Sequence, residues 1–414
     1  MIPPEKILSI SHIRDDVEIA HRLSQVTDRH KGLTLRRIFF NSTVCASLQT
    51  LRGRHWQKVE LRNVDGDLTT AITICMSFDE MDEFQLVINN TEIQYTGWYA
   101  LGMGLQVNSK LKCLRLSTTF STQGMAALVE GLKADSTSLE SLDFSWSTID
   151  EEDGVRELAA GLRGNKSLVS LQFMGCSLRD HQVALLVDSL SQHPKLIRLD
   201  LNGNKAGPLA SASLANLLRS SPTLSTLDVS FQTSDEPLEM EAVADALSVN
   251  TSLRIFNLTN CAISNESAET LCRVLCETNT TLVELLLARN KIDDEGITTL
   301  ASLLPQMGSL KRLSLWGNPF EDDGAKALAE GLAANFALEE VDLFRNFPCS
   351  EQITYYTALN RGGRRLMNDN HVLLGLWPLV LERLGNLSLP NGSKTTSYDL
   401  MLNMVRGPAL LHSR

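Results

Sequence analysis

Residues 282–292 read LVELLLARNKI, and residues 310–320 read LKRLSLWGNPF. Each opens on a leucine, places apolar side chains three and five residues later, and has an asparagine eight residues on. The opening leucine recurs at Leu111, Leu139, Leu168, Leu196, Leu224, Leu253, Leu282, Leu310 and Leu338, at steps of 28 or 29 residues. Such a fixed period marks a solenoid: one structural unit that cannot bury its apolar face alone and is stabilised by its neighbours.

Working outward from Leu310 gives the content of one unit. Leu313 and Leu315 alternate as in a short strand and share one face. Gly324 to Asn335 then predicts a helix, with Leu328 and Leu332 one turn apart. The helical pair recurs as Leu101/Leu105, Leu128/Leu132, Leu158/Leu162, Leu186/Leu190, Leu214/Leu218, Val243/Leu247, Cys272/Cys276 and Leu300/Leu304. The polar place reads Asn89, Thr119, Ser147, Cys176, Asn204, Gln232, Cys261, Asn290, Asn318 and Asn346. A small or amide side chain there can turn inward and satisfy loop backbone groups. Thr119 and Gln232 depart from that pattern, so looser turns are expected at both.

The pattern L-x-x-L-x-L-x-x-[N/C]-x-L resembles the leucine-rich repeat family. The long period and true helices are similar to its ribonuclease-inhibitor type, which includes NOD-like receptor arrays and the GTPase-activating protein for Ran. The resemblance covers roughly residues 81–346. It implies an α/β horseshoe with a parallel concave sheet, convex helices and helical caps. The expected organisation is an N-terminal cap over 1–54, a repeat array over 55–346, and a C-terminal helical cap or tail over 347–414.

Within the first segment, Val17, Ala20 and Leu23 suit a helix started by Asp15–Asp16. Leu35-x-x-Ile38-x-Phe40 and Trp56-x-x-Val59-x-Leu61 look like degenerate repeat strands. After Asn346, helices are expected over 351–360, 372–384 and 398–405, the last two separated by Pro390-Asn391-Gly392-Ser393. LNRGGRRL (359–366) and GLWPLVLER (375–383) resemble tails of repeat proteins from diatoms and related algae, which implies no activity.

The chain has 414 residues and a formal charge of −11. That balance disfavours nonspecific nucleic-acid binding, which neutralises phosphates with Lys and Arg. Residues 373–381, the longest apolar stretch, contain Gly375 and Pro378 and are too short to span a bilayer. No secretory leader is read at the N-terminus. The eight cysteines form no paired framework, which fits a reducing compartment and a cytoplasmic location. Nine Asn-x-Ser/Thr sequons, among them Asn41, Asn89 and Asn165, are read as by-products of an Asn-, Ser- and Thr-rich chain.

The repeat register gives most chemically suggestive motifs a structural task. Cys272 and Cys276 fall in the helical pair and read as core, while Cys176 and Cys261 fill the turn place. The acidic runs Asp150–Asp153, Asp293–Glu295 and Glu321–Asp323 precede helices and read as caps rather than calcium loops. Residues 360–365 (NRGGRR) read as a helix end, not a phosphate cradle. With no Ser/His/Asp or Cys/His constellation, no zinc spacing and no P-loop, the chain reads as non-enzymatic, with no cofactor.

The residues four, six and seven after the opening leucine should face the hollow. Two patches follow. An acidic band of Asp143, Asp200 and Asp228 has Trp146 and Phe231 beside it. An aromatic and basic patch combines Trp316, Phe344, Arg289 and Arg345, with Arg312 nearby. Exposed Trp, Phe and Arg anchor protein interfaces. The tail starts directly after Arg345, so this patch either anchors a partner or is covered by the tail. The leading reading is a scaffold that holds a protein on its concave face. The alternatives are a regulator of a small GTPase, with Arg179 as a loop arginine, and an immune-type sensor or ubiquitin-ligase adaptor.

Overall fold

The computed structural model describes residues 2–3, 6–78, 84–133, 138–149, 151–362 and 364, and the chain divides into two compact units, 1–236 and 237–414. The helices expected over 372–384 and 398–405 lie outside the described residues.

The first unit alternates strand and helix: β1 (Ile7–Ser11), α1 (Asp16–Ser24), β2 (Gly32–Arg36), β3 (Phe39–Phe40), α2 (Ser42–Gln49), β4 (Lys58–Arg62), β5 (Asp65–Gly66), α3 (Leu68–Met76), β6 (Phe84–Asn89) and α4 (Tyr95–Val107). It continues with β7 (Leu111–Ser117), α5 (Thr122–Leu132), β8 (Ser141–Asp143), α6 (Glu152–Gly164), β9 (Ser170–Gln172), α7 (Asp180–Ser189), β10 (Arg198–Asp200), α8 (Pro208–Ser220) and β11 (Thr226–Asp228). Its strands pair in parallel, each with the next along the chain, while β3 and β5 form a small separate ladder. The second unit carries α9 (Met240–Val249), β12 (Ile255–Asn257), α10 (Asn265–Glu277), β13 (Glu284–Leu286), α11 (Asp294–Leu303), β14 (Arg312–Ser314), α12 (Asp322–Ala334), β15 (Glu340–Asp342) and α13 (Ser350–Arg361), with β12 to β15 again parallel.

The register explains the leucine beat. Leu142, Leu171, Leu199 and Leu227 stand side by side, as do Phe256, Leu285, Leu313 and Val341. These side chains are essentially fully buried against the helical layer except Val341, which is half-buried. Alternation along each strand turns the residues between them to the opposite sheet face.

The N-terminal expectations shift in register. Residues 1–54 carry β1 and β2 of the sheet itself. In β2 the inward pair is Leu33 and Leu35, whereas Ile38 and Phe40 follow the strand. Trp56, Val59 and Leu61 are buried as read. Asp15 caps α1, but the buried face is Ile19 and Leu23, and Val17 is exposed.

The inward polar place holds with two displacements. Asn204, Asn290 and Asn318 each donate Nδ2 to carbonyls of their own and the preceding strand turn, while Oδ1 accepts a backbone N–H. Gln232 makes the same set through Leu201, Val229 and Ala206, so its turn is not loose. Thr119 is exposed, and the buried Thr118 takes its place by donating to the Thr91 carbonyl at 2.6 Å. Asn89 is likewise replaced by Thr91, and its Oδ1 is buried without a hydrogen-bond partner. Asn346 is exposed.

One extra residue between the end of α10 and Leu282 corrects the cysteine assignment. Counted from the capping Ser264, Leu271 and Leu275 match Leu328 and Leu332 of α12. Cys272 packs beside them, its thiol pushed up to about 12 by burial, and the half-buried Cys276 donates to the Leu303 carbonyl. Both remain structural.

Candidate functional site

The strand face turned away from the helices carries the exposed aromatic side chains that the repeat does not require. In the second unit two of them stack with an arginine in sequence. The Arg289 guanidinium lies 4.6 Å from the Trp316 ring centroid, and Trp316 meets Phe344 edge to face at 5.3 Å. Trp316 and Phe344 occupy the same column on adjacent strands, which is why strand spacing brings them together. Phe344 remains 61% exposed, Trp316 is half-buried and Arg289 is exposed. A guanidinium over an indole keeps its charge while its flat face is covered.

Arg312 and Arg345 do not join that stack. Arg312 reaches Glu284 at 3.8 Å and Glu340 at 3.5 Å on the flanking strands. Arg345 turns to the start of α12, where it pairs with Glu321 and Asp322 and covers the Phe347 ring at 4.9 Å. Carboxylates at a helix start are stabilised there by the backbone dipole and draw the arginine to that edge. The described part of the tail, α13, is anchored by Asn360 to the carbonyls of Asn335 and Leu338, and Phe344 stays open beside it. Arg361 and Arg364 donate to the carbonyls of Glu339 and Ala333, and Arg364 also covers the rings of Phe336 and Tyr356. These arginines hold a helix end in place.

In the first unit Trp146 is 67% exposed with φ +64°, and its ring lies over Gly175, where a Cβ would come within 2.6 Å of it. Phe231 is 38% exposed with φ +57°. Three strand steps separate them, about 14 Å at normal strand spacing, so they do not form one aromatic cluster.

The expected acidic band is not an open charged surface. The Asp143 side chain is buried, bonded to Arg115 at 2.5 Å, and accepts the Ser145 N–H. Asp200 accepts the Asn202 N–H and Asp228 accepts the Ser230 N–H. These carboxylates close the turn after each strand by local side-chain-to-backbone bonds. Burial, aided by the nearby Asp228, raises the Asp200 pKa against the lowering hydrogen bond from Asn202.

The acidic runs act as caps, partly between repeats. Asp293 caps its own helix through Glu295 and Gly296. Asp294 instead accepts the N–H groups of Glu321 and Gly324 at the start of α12, and Asp180 accepts those of Gly207, Leu209 and Ala210 at the start of α8. Arg179 sits at the start of α7 with Gln182 bonded to its backbone N–H. Among the described residues no group of three His, Cys, Asp or Glu side chains is placed to share a metal, and no helix is long and apolar enough to cross a membrane.

One residue class was missed in the sequence. Asn108, Asn165, Asn250, Asn279 and Asn335 each stand three residues before an opening leucine and are buried. Each Oδ1 accepts N–H groups at the start of the next strand, and Asn108, Asn165, Asn279 and Asn335 donate Nδ2 to carbonyls at the end of the preceding helix. The spacing N-x-x-L was the available signal. It also explains three sequons, since Asn165, Asn250 and Asn279 are these buried asparagines.

The comparisons with known proteins agree with this geometry. A family model described as Leucine Rich repeat matches residues 249–272, 278–301 and 309–329. A pig ribonuclease inhibitor is 28% identical over 267 residues, 64% of this chain and 58% of its own length. A mouse ribonuclease inhibitor is 28% identical over 319 residues, covering 74% of this chain and 68% of that protein. Human NACHT, LRR and PYD domains-containing protein 5 is 29% identical over 238 residues, 56% of this chain and 20% of that protein. The chain therefore spans just over half of the pig inhibitor and a fifth of the human NACHT, LRR and PYD domains-containing protein.

Proposed function

We propose that this leucine-rich-repeat protein of the ribonuclease-inhibitor type is a non-enzymatic binding module that holds a protein partner on its open strand face. The observation that carries this reading is the exposed stack Arg289–Trp316–Phe344. Trp and Arg are the side chains on which interface energy concentrates, and here they are held in place by one another before any partner arrives. The ribonuclease inhibitors that the chain is similar to are themselves named for a protein they block. Eight free cysteines support a reducing compartment, and we place the protein in the cytoplasm.

The test is paired capture from the native cell with wild-type and Trp316→Ala baits, followed by quantitative mass spectrometry. A hot-spot truncation costs about 2 kcal/mol or more, roughly 30-fold in affinity. At least one wild-type partner should fall accordingly on the variant, and Phe344→Ala should deplete the same protein. Identical partner sets on both baits would overturn the assignment. Acceleration of GTP hydrolysis by a panel of small GTPases would favour the regulator reading instead.

A further inference from the structure

The solvent side of α4 is apolar where that of α10 and α12 is charged. Counted from the capping residue, positions one, five, nine and thirteen form a stripe along the outer face. In α10 the stripe is Asn265, Glu269, Arg273 and Glu277, and in α12 it is Asp322, Lys326, Glu330 and Ala334. In α4 it is Tyr95, Tyr99, Met103 and Val107, which are 55%, 53%, 42% and 78% exposed. Neither α3 nor α4 contains a single Asp, Glu, Lys, Arg or His.

The neighbouring helices lie close beside this stripe. Gly104 admits the Met76 side chain of α3, and Gly102 admits the Ala127 carbonyl of α5, so both neighbours pack against the α4 backbone. An apolar groove between α3 and α4 is lined by Thr73, Met76, Tyr99, Met103 and Val107. The stripe is about 18 Å long and exposes on the order of 400 Å², within the range of a monomer's largest apolar patch, which often serves a function.

We infer that this face binds a second copy of the same chain, α4 against α4, antiparallel across a two-fold axis. Charge does not oppose that occupant at this face. Two copies carrying −11 each repel, and the uncharged α3–α4 surface is a place where they can touch without opposing like charges. An anionic membrane surface calls for Lys and Arg around the apolar stripe, and α3 and α4 supply none. The order of side chains is self-complementary. Antiparallel pairing about the centre of the stripe sets Tyr99 against Met103 of the other copy and Tyr95 against Val107. Ring meets thioether and large meets small in each pair. The footprint is below that of a standard stable interface, so the dimer is weak, with a Kd of order 10–100 µM.

Sedimentation equilibrium of the full chain, up to about 200 µM, tests this. The expected result is a reversible monomer–dimer equilibrium. Tyr99→Glu and Val107→Glu, both at exposed positions, should each raise the Kd at least about 30-fold, equivalent to the loss of one interface anchor, with unchanged circular dichroism and melting. Tyr99→Lys and Met103→Glu should each be monomeric alone and form a heterodimer when mixed, because antiparallel pairing opposes those two positions. A chain that stays monomeric throughout overturns the proposal. So does a dimer indifferent to Tyr99→Glu, or a mixed pair that fails to associate. Sedimentation of a monomeric chain with phosphatidylcholine vesicles, lost in Tyr99→Glu, would replace the second copy with a membrane.

Discussion

Seven residues after the opening leucine the backbone enters the left-handed region: Trp146, Gly175, Gly203, Phe231, Asn260, Arg289 and Gly317 have φ between +55° and +75°. Glycine takes this conformation freely, whereas an L side chain costs about 1–2 kcal/mol there. Ala262, exposed and at φ +57°, bears the same strain without the side-chain contacts of Trp146 or Arg289. Ala262→Gly should therefore raise stability by about 0.5–1 kcal/mol after glycine's extra unfolded-state entropy is counted. Gly317→Ala should lower it by about 1–2 kcal/mol, and more if Arg289, 3.1 Å from the added Cβ, is displaced from Trp316. Urea midpoints of the two variants should move in opposite directions; a shift of Gly317→Ala to higher urea would show that the turn is unstrained. Asp200 gives a pH-dependent case. Its folded pKa is raised by burial, so the folded state binds the proton more tightly and loses stability as pH rises from the usual carboxylate value through the raised one. Asp200→Asn keeps an acceptor for the Asn202 N–H and removes the buried charge. Its stability relative to wild type should rise with pH across the carboxylate range and then level off. A relative stability that falls as pH rises would reverse the sign argued here.

Many strands, turns and helices are joined to the neighbouring repeat through amide side chains, so single asparagines act at the scale of elements. Asn279 donates to the Leu247 and Asn250 carbonyls and accepts the N–H groups of Thr281 and Leu282, linking the end of α9 to the start of the β13 segment. Asn279→Ala leaves those buried groups unpaired, each at about 1–3 kcal/mol, and should cost about 3 kcal/mol overall. Hydrogen exchange should accelerate first at Thr281 and Leu282, and unchanged protection there would show that these bonds contribute little. The same repeat shows what the sequence could and could not convey. Periodicity located the strands because Leu282, Leu285 and Leu287 are buried whatever their neighbours do. It misplaced the helical pair in α10 because the added residue lies between that helix and Leu282, and counting back from the next leucine carried the error onto Cys272 and Cys276. It placed Trp316 beside Phe344 because sheet columns are set by backbone spacing. It grouped Arg345 with them although that side chain reaches for Glu321, a choice made by electrostatics across a loop. The acidic band failed for a related reason: an aspartate two residues before a turn N–H bonds inward instead of facing solvent. The α4 stripe left no mark in the leucine beat because all four of its residues lie outside the buried columns.

For the whole chain, charge balance and ion pairing pull in opposite directions, and magnitudes decide between them. Forty-nine acidic side chains oppose thirty-eight basic ones. Many pairs, such as Lys112–Glu140, Arg273–Glu269 and Lys311–Glu339, join partly exposed side chains, and each contributes only about 0–1 kcal/mol. Several carboxylates are committed to backbone N–H groups, as at Asp180, Asp293 and Asp294, and those bonds are short-ranged. The uncompensated charge acts over longer distances and is the first contribution that salt removes, since the Debye length falls from about 30 Å at 0.01 M to about 3 Å at 1 M. Screening should therefore relieve more repulsion than attraction. The melting temperature should rise by about 1 °C, the equivalent of about 1 kcal/mol in a chain of this length, between low salt and about 0.5 M NaCl. A neutral α3–α4 face adds a second consequence. Salt weakens the repulsion between approaching copies and leaves the apolar contact itself intact, so self-association should strengthen over the same range. The two effects separate by concentration, because relief of repulsion within one chain is the same at every dilution. A melting temperature that falls with added NaCl at all protein concentrations would show that the exposed ion pairs outweigh the net charge.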